Sequence, residues 1–262
     1  ETKQDVIMPP HTEKRIPKRL GKEPLLEAVW ELRFVGDPAT GVALPGALWE
    51  KLRAGGRIAN LEILPLATVP VEFRNAQEQL RHGATHALRG DGYTILTGDN
   101  VVVLSVLKPY PGWNDFKTRI LELVGWISEL GIIQNPQTFS IRYIDFFEGS
   151  PSETLKLLVA NIQIGNRTPA LGEFRLQMPV NIEGFQGLLQ VLNPVQLANG
   201  VGLTETRGLV TDVLVAGEMA SIPDAWDGFE ARLEKAKAIC HCLFFALLKS
   251  DTIESMDPVF EE

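Results

Sequence analysis

Trp113-Asn114-Asp115-Phe116-Lys117-Thr118-Arg119-Ile120-Leu121-Glu122-Leu123 and, further along the chain, Trp226-Asp227-Gly228-Phe229-Glu230-Ala231-Arg232-Leu233-Glu234-Lys235-Ala236 share one pattern. In the first, Phe116, Ile120, Leu123, Ile127 and Leu130 step by four, three, four and three, which draws a single apolar stripe along a helix. In the second, Phe229, Leu233, Ala236, Cys240 and Leu243 occupy the same five places at a constant offset, and Trp113 and Arg119 recur as Trp226 and Arg232. Pro111 and Pro223 precede the two segments, with Asp224 placed as an N-cap. Two long amphipathic helices in a common register are expected, with Phe116, Ile120, Leu123, Phe229, Leu233 and Leu243 in the core.

The residues upstream repeat as well. Leu32-Arg33-Phe34 returns as Ile141-Arg142-Tyr143, and each is followed by a short helical stretch, at Pro45 to Leu52 and at Ser152 to Ile162. Strands follow: Thr85 to Leu88 and Tyr93 to Thr97 flank a tight Asp91-Gly92 turn, with Asn100 to Lys108 next. In the second half, Phe174 to Ile182 and Phe185 to Leu192 flank Glu183-Gly184. Gly208 to Ala216 comes after a Gly-rich loop at Asn199 to Gly202. The reading is an α+β fold built from an internally duplicated unit of strand, helix, antiparallel strands and long helix, over residues 25–135 and 136–250. A continuous antiparallel sheet with both long helices on one face buries such a pattern most simply. That order of elements resembles the saddle of the TATA-box-binding protein fold, and more loosely helix-grip and double hot-dog folds. The resemblance is one of topology and carries no function with it.

Composition sets outer bounds. Of 262 residues, 45% are hydrophobic, which supports a packed core rather than a disordered chain. The longest apolar run, Cys242 to Leu248, is far short of a membrane span, and no apolar leader stands at the N-terminus, so a cytoplasmic protein is expected. Cys240 and Cys242, the two cysteines, diverge on a helix and suit a reducing compartment. With 25 basic and 33 acidic residues the net charge is −8, which disfavours nucleic acid and anionic membrane as partners. Residues 1–24 read as an extended basic arm and residues 251–262 as an acidic tail. Their opposite charges either draw the ends together or leave two solvated tails.

Chemistry is sparse. No nucleophile elbow, P-loop or dinucleotide fingerprint is present, and none of the four histidines lies in a recognisable catalytic context. Cys240-His241-Cys242 points its side chains about 100° apart on a helix and cannot close around one metal. His82 and His86 share a spacing that a metal would use, yet no carboxylate or cysteine joins them at ligand spacing, so a surface or turn role is preferred. The expectation is therefore no catalytic residue, no metal and no cofactor. Strand polarity gives a better candidate: Trp30, Leu32 and Phe34 share one face while Glu31 and Arg33 share the other, and Phe139, Ile141 and Tyr143 oppose Ser140 and Arg142 in the same way. Glu31, Arg33, Ser140 and Arg142 form the candidate ligand- or partner-binding set. The arginines either grip a carboxylate or phosphate or close cross-strand salt bridges.

The run Pro24-Leu25-Leu26-Glu27-Ala28-Val29-Trp30-Glu31-Leu32-Arg33-Phe34 resembles the N-terminal signature of a sporadically distributed bacterial protein family of about this length with no assigned activity. Ile141-Arg142-Tyr143-Ile144-Asp145 and the Trp113 helix resemble its later blocks. The resemblance implies an accessory role, as in phage defence or toxin neutralisation, and supplies no catalytic residues. The expected function is a non-catalytic binding or regulatory protein acting on a protein partner. The alternative is a small-ligand-binding protein or enzyme with its site in a cleft between the repeats.

Overall fold

The computed structural model describes residues 16–37, 39–57, 59–160, 173–199, 204–219 and 226–260. The fold is α+β, in two compact units: residues 27–141 with 216–234, and residues 1–26 with 142–215 and 235–262.

The first unit holds most of β2 (Leu25–Phe34), then α1 (Thr40–Ala54), β3 (Asn60–Ile63), α2 (Val71–Ala76), α3 (Glu78–Arg81), β4 (His86–Gly90), β5 (Tyr93–Thr97), β6 (Val101–Leu107) and α4 (Trp113–Leu130). Its strands lie in the order β3-β4-β5-β6-β2, each pair antiparallel. Period-two alternation sets the sides of β2: Trp30, Leu32 and Phe34 are fully buried. Trp30 stands opposite Leu104 of β6, and Ile95 and Tyr93 of β5 point the same way. Phe116 of α4 stacks on Tyr93 with ring centroids 6.5 Å apart. Phe229, at the start of α6 (Phe229–Leu247), meets Trp30 edge-on at 6.3 Å and Phe139 at 5.1 Å. Both long helices therefore cover the same face of this sheet, as their common stripe implies. Helix α4 ends where Gly131 takes the left-handed conformation, and its N–H donates back to Ile127 and Ser128.

Between these helix starts, Lys117 Nζ donates to Glu230 Oε1 at 3.2 Å, and Trp113 Nε1 donates to Glu234 Oε2 at 2.9 Å. Trp113 packs on Phe116 at 6.4 Å and 69°, and Trp226 on Phe229 at 6.0 Å and 72°.

The second unit holds β7 (Pro136–Glu148) from Arg142 onward, α5 (Pro151–Leu155), β8 (Phe174–Ile182), β9 (Phe185–Asn199), β10 (Thr204–Glu218) to Val215, α6 from Lys235, and α7 (Ser250–Ser255). The strand order is β7-β10-β9-β8. Its core joins Phe147, Leu209, Phe245, Leu248, Ile253 and Met256 with Leu20 from the N-terminal segment. That segment is tied down: β1 (Arg19–Leu20) pairs antiparallel with β11 (Pro258–Val259), and Lys22 bridges Asp257 at 3.2 Å. Where described, the oppositely charged ends are thus drawn together, chiefly by backbone hydrogen bonds.

Both predicted hairpins form on pairs with left-handed backbone, Asp91 with Gly92 and Glu183 with Gly184. The first short helix is longer than Pro45 to Leu52, and the second ends at Leu155. Asp224 and residues 200–202 of the Gly-rich loop lie outside the described residues. One core expectation needs correcting: Leu243 is only half-buried, while Phe245 and Leu248 are buried. The Phe229 stripe stays buried through Ala236 and Cys240, and only at the end of the helix does the buried flank drift from Leu243 to Phe245 and Leu248. Truncating Phe116 or Phe229 to alanine is expected to cost about 3 to 5 kcal/mol in urea-unfolding measurements, and a variant as stable as the parent would show that the stripe does not face a core.

Candidate partner-binding face

Glu31 and Arg33 project from the side of β2 opposite the helices. Arg33 Nε donates to Glu31 Oε1 at 2.6 Å, and the Arg33 side chain keeps 47% of its surface exposed. Its two terminal nitrogens have no partner among the described residues, so the fork that reads a carboxylate or phosphate is available. Nearby on the same face, Ser105 donates to Glu27.

The end of β2 is organised by Asn100. Its carbonyl accepts from Phe34 N–H at 3.1 Å and lies 3.3 Å from His82 Nδ1, while its side chain donates to Asn75 and to the Arg81 carbonyl and accepts from Gly36 N–H. Beside it, Asp99 takes Nε and Nη2 of Arg74 at 2.7 and 2.9 Å, both residues being buried, and Arg74 also donates to the Leu66 and Val69 carbonyls. This knot fastens the segment from Leu64 to Gly83 against the strand end. The approach is close enough to need glycine: a Cβ at Gly36 would fall 2.1 Å from the Asp99 carbonyl oxygen, and one at Gly41 would fall 2.3 Å from Asp99 Oδ1.

Arg142, in the second unit, has a different role. Its Nε and Nη2 donate to Oδ1 and Oδ2 of Asp212 at 2.7 and 2.5 Å. Asp212 is buried and also accepts from Gln190, which in turn accepts from Gln177. The result is a polar ladder across β7, β10, β9 and β8, the cross-strand salt bridge that strand polarity left open as one reading. Ser140 is buried at 7% exposure and offers little surface to a ligand. Of the four sequence-selected residues, the structure thus pairs Glu31 with Arg33 and places Arg142 with Asp212. The Asp212, Arg74 and Asp99 partnerships span 25 to 70 residues and leave no local pattern in the sequence.

His82 and His86 take separate partners, the Asn100 carbonyl and the Thr85 hydroxyl, and burial lowers both their pKa values. Among the described residues no three histidine, cysteine or acidic side chains gather as a metal would need. A concavity of about 30 Å³ in the first unit, lined by Leu52, Arg57, Tyr93, Glu122 and Trp126, has room for no more than about two waters. In its wall Arg57 Nη2 donates to both oxygens of Glu122 at 2.7 Å. Among the described residues no helix is long and apolar enough to cross a membrane.

No known family model matches the chain, and no curated protein matches it.

The two arginines should separate in a stability measurement. Arg142→Ala strands a buried carboxylate and is expected to cost roughly 1 to 3 kcal/mol, whereas Arg33→Ala removes an exposed pair and should cost less than about 1 kcal/mol. Chemical denaturation of both variants checks this, and equal losses would mean that Arg33 is structural too.

Proposed function

We propose that this chain is a non-catalytic binding protein that engages a protein partner through the polar side of β2, with Arg33 as the contact that receives an acidic side chain. The observation that carries this is the exposed, half-engaged Arg33 guanidinium on a strand whose other side is fully buried. A buried face fixes the strand's position, so the guanidinium is presented from a rigid element rather than from a loop. Glu31, held at its Nε, orients the fork while leaving its outer edge for a carboxylate. The role is that of a bacterial cytoplasmic accessory protein, in keeping with the signature that the β2 sequence resembles and with two free thiols.

The reading includes an internal duplication. Strand, helix, hairpin, strand and long helix occur twice in order, and both hairpins turn on an acidic residue followed by glycine. The helix contacts support it further. Lys117 bonds Glu230, its own counterpart at the offset of 113, and Trp113 bonds Glu234, the counterpart of Leu121. Lys117 also reaches Glu234 at 2.7 Å, and the earlier residue of one helix start meeting the later residue of the other is the order that an antiparallel crossing gives.

Affinity purification of the tagged chain from its native cells tests the function. A partner recovered with the parent should be lost with Arg33→Glu, whose melting temperature should stay within about a degree or two of the parent's because the site is exposed. A partner retained by Arg33→Glu would sink the assignment of this face.

A further inference from the structure

One buried carboxyl in the second unit has no evident structural use. Asp145 lies on the side of β7 that carries Phe147 into the core, is 5% exposed, and meets no hydrogen-bond donor among the described residues. Its nearest charged company is acidic, Glu23 from the N-terminal segment and Asp212 from β10. A carboxylate cannot remain in such a place without a donor or a cation, so the group is held as the neutral acid.

What covers it is thin. Residues 16–24 lie over this unit as a strap: Phe146 N–H donates to the Pro24 carbonyl at 2.9 Å, one residue from Asp145. Further out, Lys18, Gly21 and Lys22 donate their N–H groups to the carbonyls of Val259, Asp257 and Met256 at 2.8, 2.8 and 3.0 Å. Leu20 is the strap's one side chain in the core cluster, and β1 is two residues long. Helix α6 adds one contact: His241 bonds the strap backbone at Pro17 and Lys18, and burial, with Lys237 adding to it, lowers its pKa to about 4.

We propose that residues 16–24 form a pH-gated strap, released from the second unit when Asp145 loses its proton against Glu23. Opening lets water reach Asp145 and lets Glu23 move away, so the open form binds its proton less tightly than the closed form. Burial, with Glu23 and then Asp212 adding to it, pushes the closed-form pKa up to about 8. An exposed aspartate titrates near ~4. Between those values the closed strap holds a proton that the open strap has given up, and the opening equilibrium therefore rises with pH. Above about 8 both forms are ionised and the dependence levels off. The gate is most sensitive around neutrality.

Native-state hydrogen exchange of the Lys18, Gly21 and Lys22 amides, corrected for intrinsic rates, tests this on the full chain. Below about pH 6.5 the uptake of a proton by His241 on opening opposes the Asp145 dependence, so protection should fall by close to tenfold per pH unit only between about pH 6.5 and about 8 and then flatten. Asp145→Asn, which keeps the shape and removes the titration, should hold protection constant within about twofold over that range. Glu23→Gln should move the flattening to lower pH, because a like charge has been removed. Protection that does not change with pH in the parent overturns the proposal. So does a pH-dependent loss that the amides of Leu189 and Val191 in β9 share equally, since that is destabilisation of the whole unit, and so does a slope that survives in Asp145→Asn.

Discussion

A strand has two sides and no third, and β2 uses one of them entirely for the core. With Trp30, Leu32 and Phe34 buried, Glu31 and Arg33 are committed to the other side, and a slip of one residue would bury both charges. Every other feature of the first unit follows that commitment. Strand β6 must align Leu104 and Val102 with the buried side, β5 must follow with Ile95 and Tyr93, and the helices must supply Phe116 and Phe229 to close the layer. The cost of moving the strand is the cost of exposing three large side chains, on the order of 1.5 to 3 kcal/mol each. That makes β2 a rigid mount for Arg33.

Polar groups sort by whether they have been answered. Asp99 and Asp212 are buried much as Asp145 is, yet each faces an arginine fork that bonds both of its oxygens. Such pairs contribute little net stability, because desolvation offsets attraction, but they penalise any rearrangement that leaves one partner alone. The Asp99 knot thereby fixes the segment from Leu64 to Gly83 at the strand end, and the Asp212 ladder fixes the order of four strands. Asp145 has no such answer and holds its proton instead. In one fold, then, burial makes two carboxylates into fasteners and a third into a titrating group.

Much of the framework is legible in the sequence because it is periodic. The helix stripes, the alternation of β2 and β7 and the acidic-Gly turns are local patterns, and β5, β8 and α4 begin where those patterns place them. What is illegible is long-range. Strand β3 and helices α2 and α3 carry no strong period, being exposed or short; β3 is held by its pairing with β4, and α2 and α3 by Arg74 and Asn100 rather than by an apolar face. The pairing of β1 with β11 joins the two ends by backbone groups, which every sequence carries alike. Leu243 departs from its stripe for a related reason. The stripe stays buried through Ala236 and Cys240, but at the helix end Phe244, Phe245, Leu247 and Leu248 crowd beside Leu243, and periodicity alone does not say which of them the core takes.

The same limit separates the two arginines. Arg33 and Arg142 stand in nearly the same local context, a basic residue between two large apolar ones, and strand polarity assigns them to one class. Their fates diverge because β10 brings an aspartate to Arg142 from 70 residues away, with Gln190 behind it, while among the described residues Arg33 bonds the glutamate two residues before it and no other. Similar local sequence need not keep similar polar partners, since an exposed strand face tolerates substitutions that a core does not. Where a buried acid stands opposite, the arginine is part of the scaffold. Where none does among the described residues, its terminal nitrogens remain available. On this reasoning the functional asymmetry of the chain lies in Asp212 as much as in either arginine: a carboxylate placed beside Arg33 from within the same chain would close the proposed contact without touching Arg33 itself.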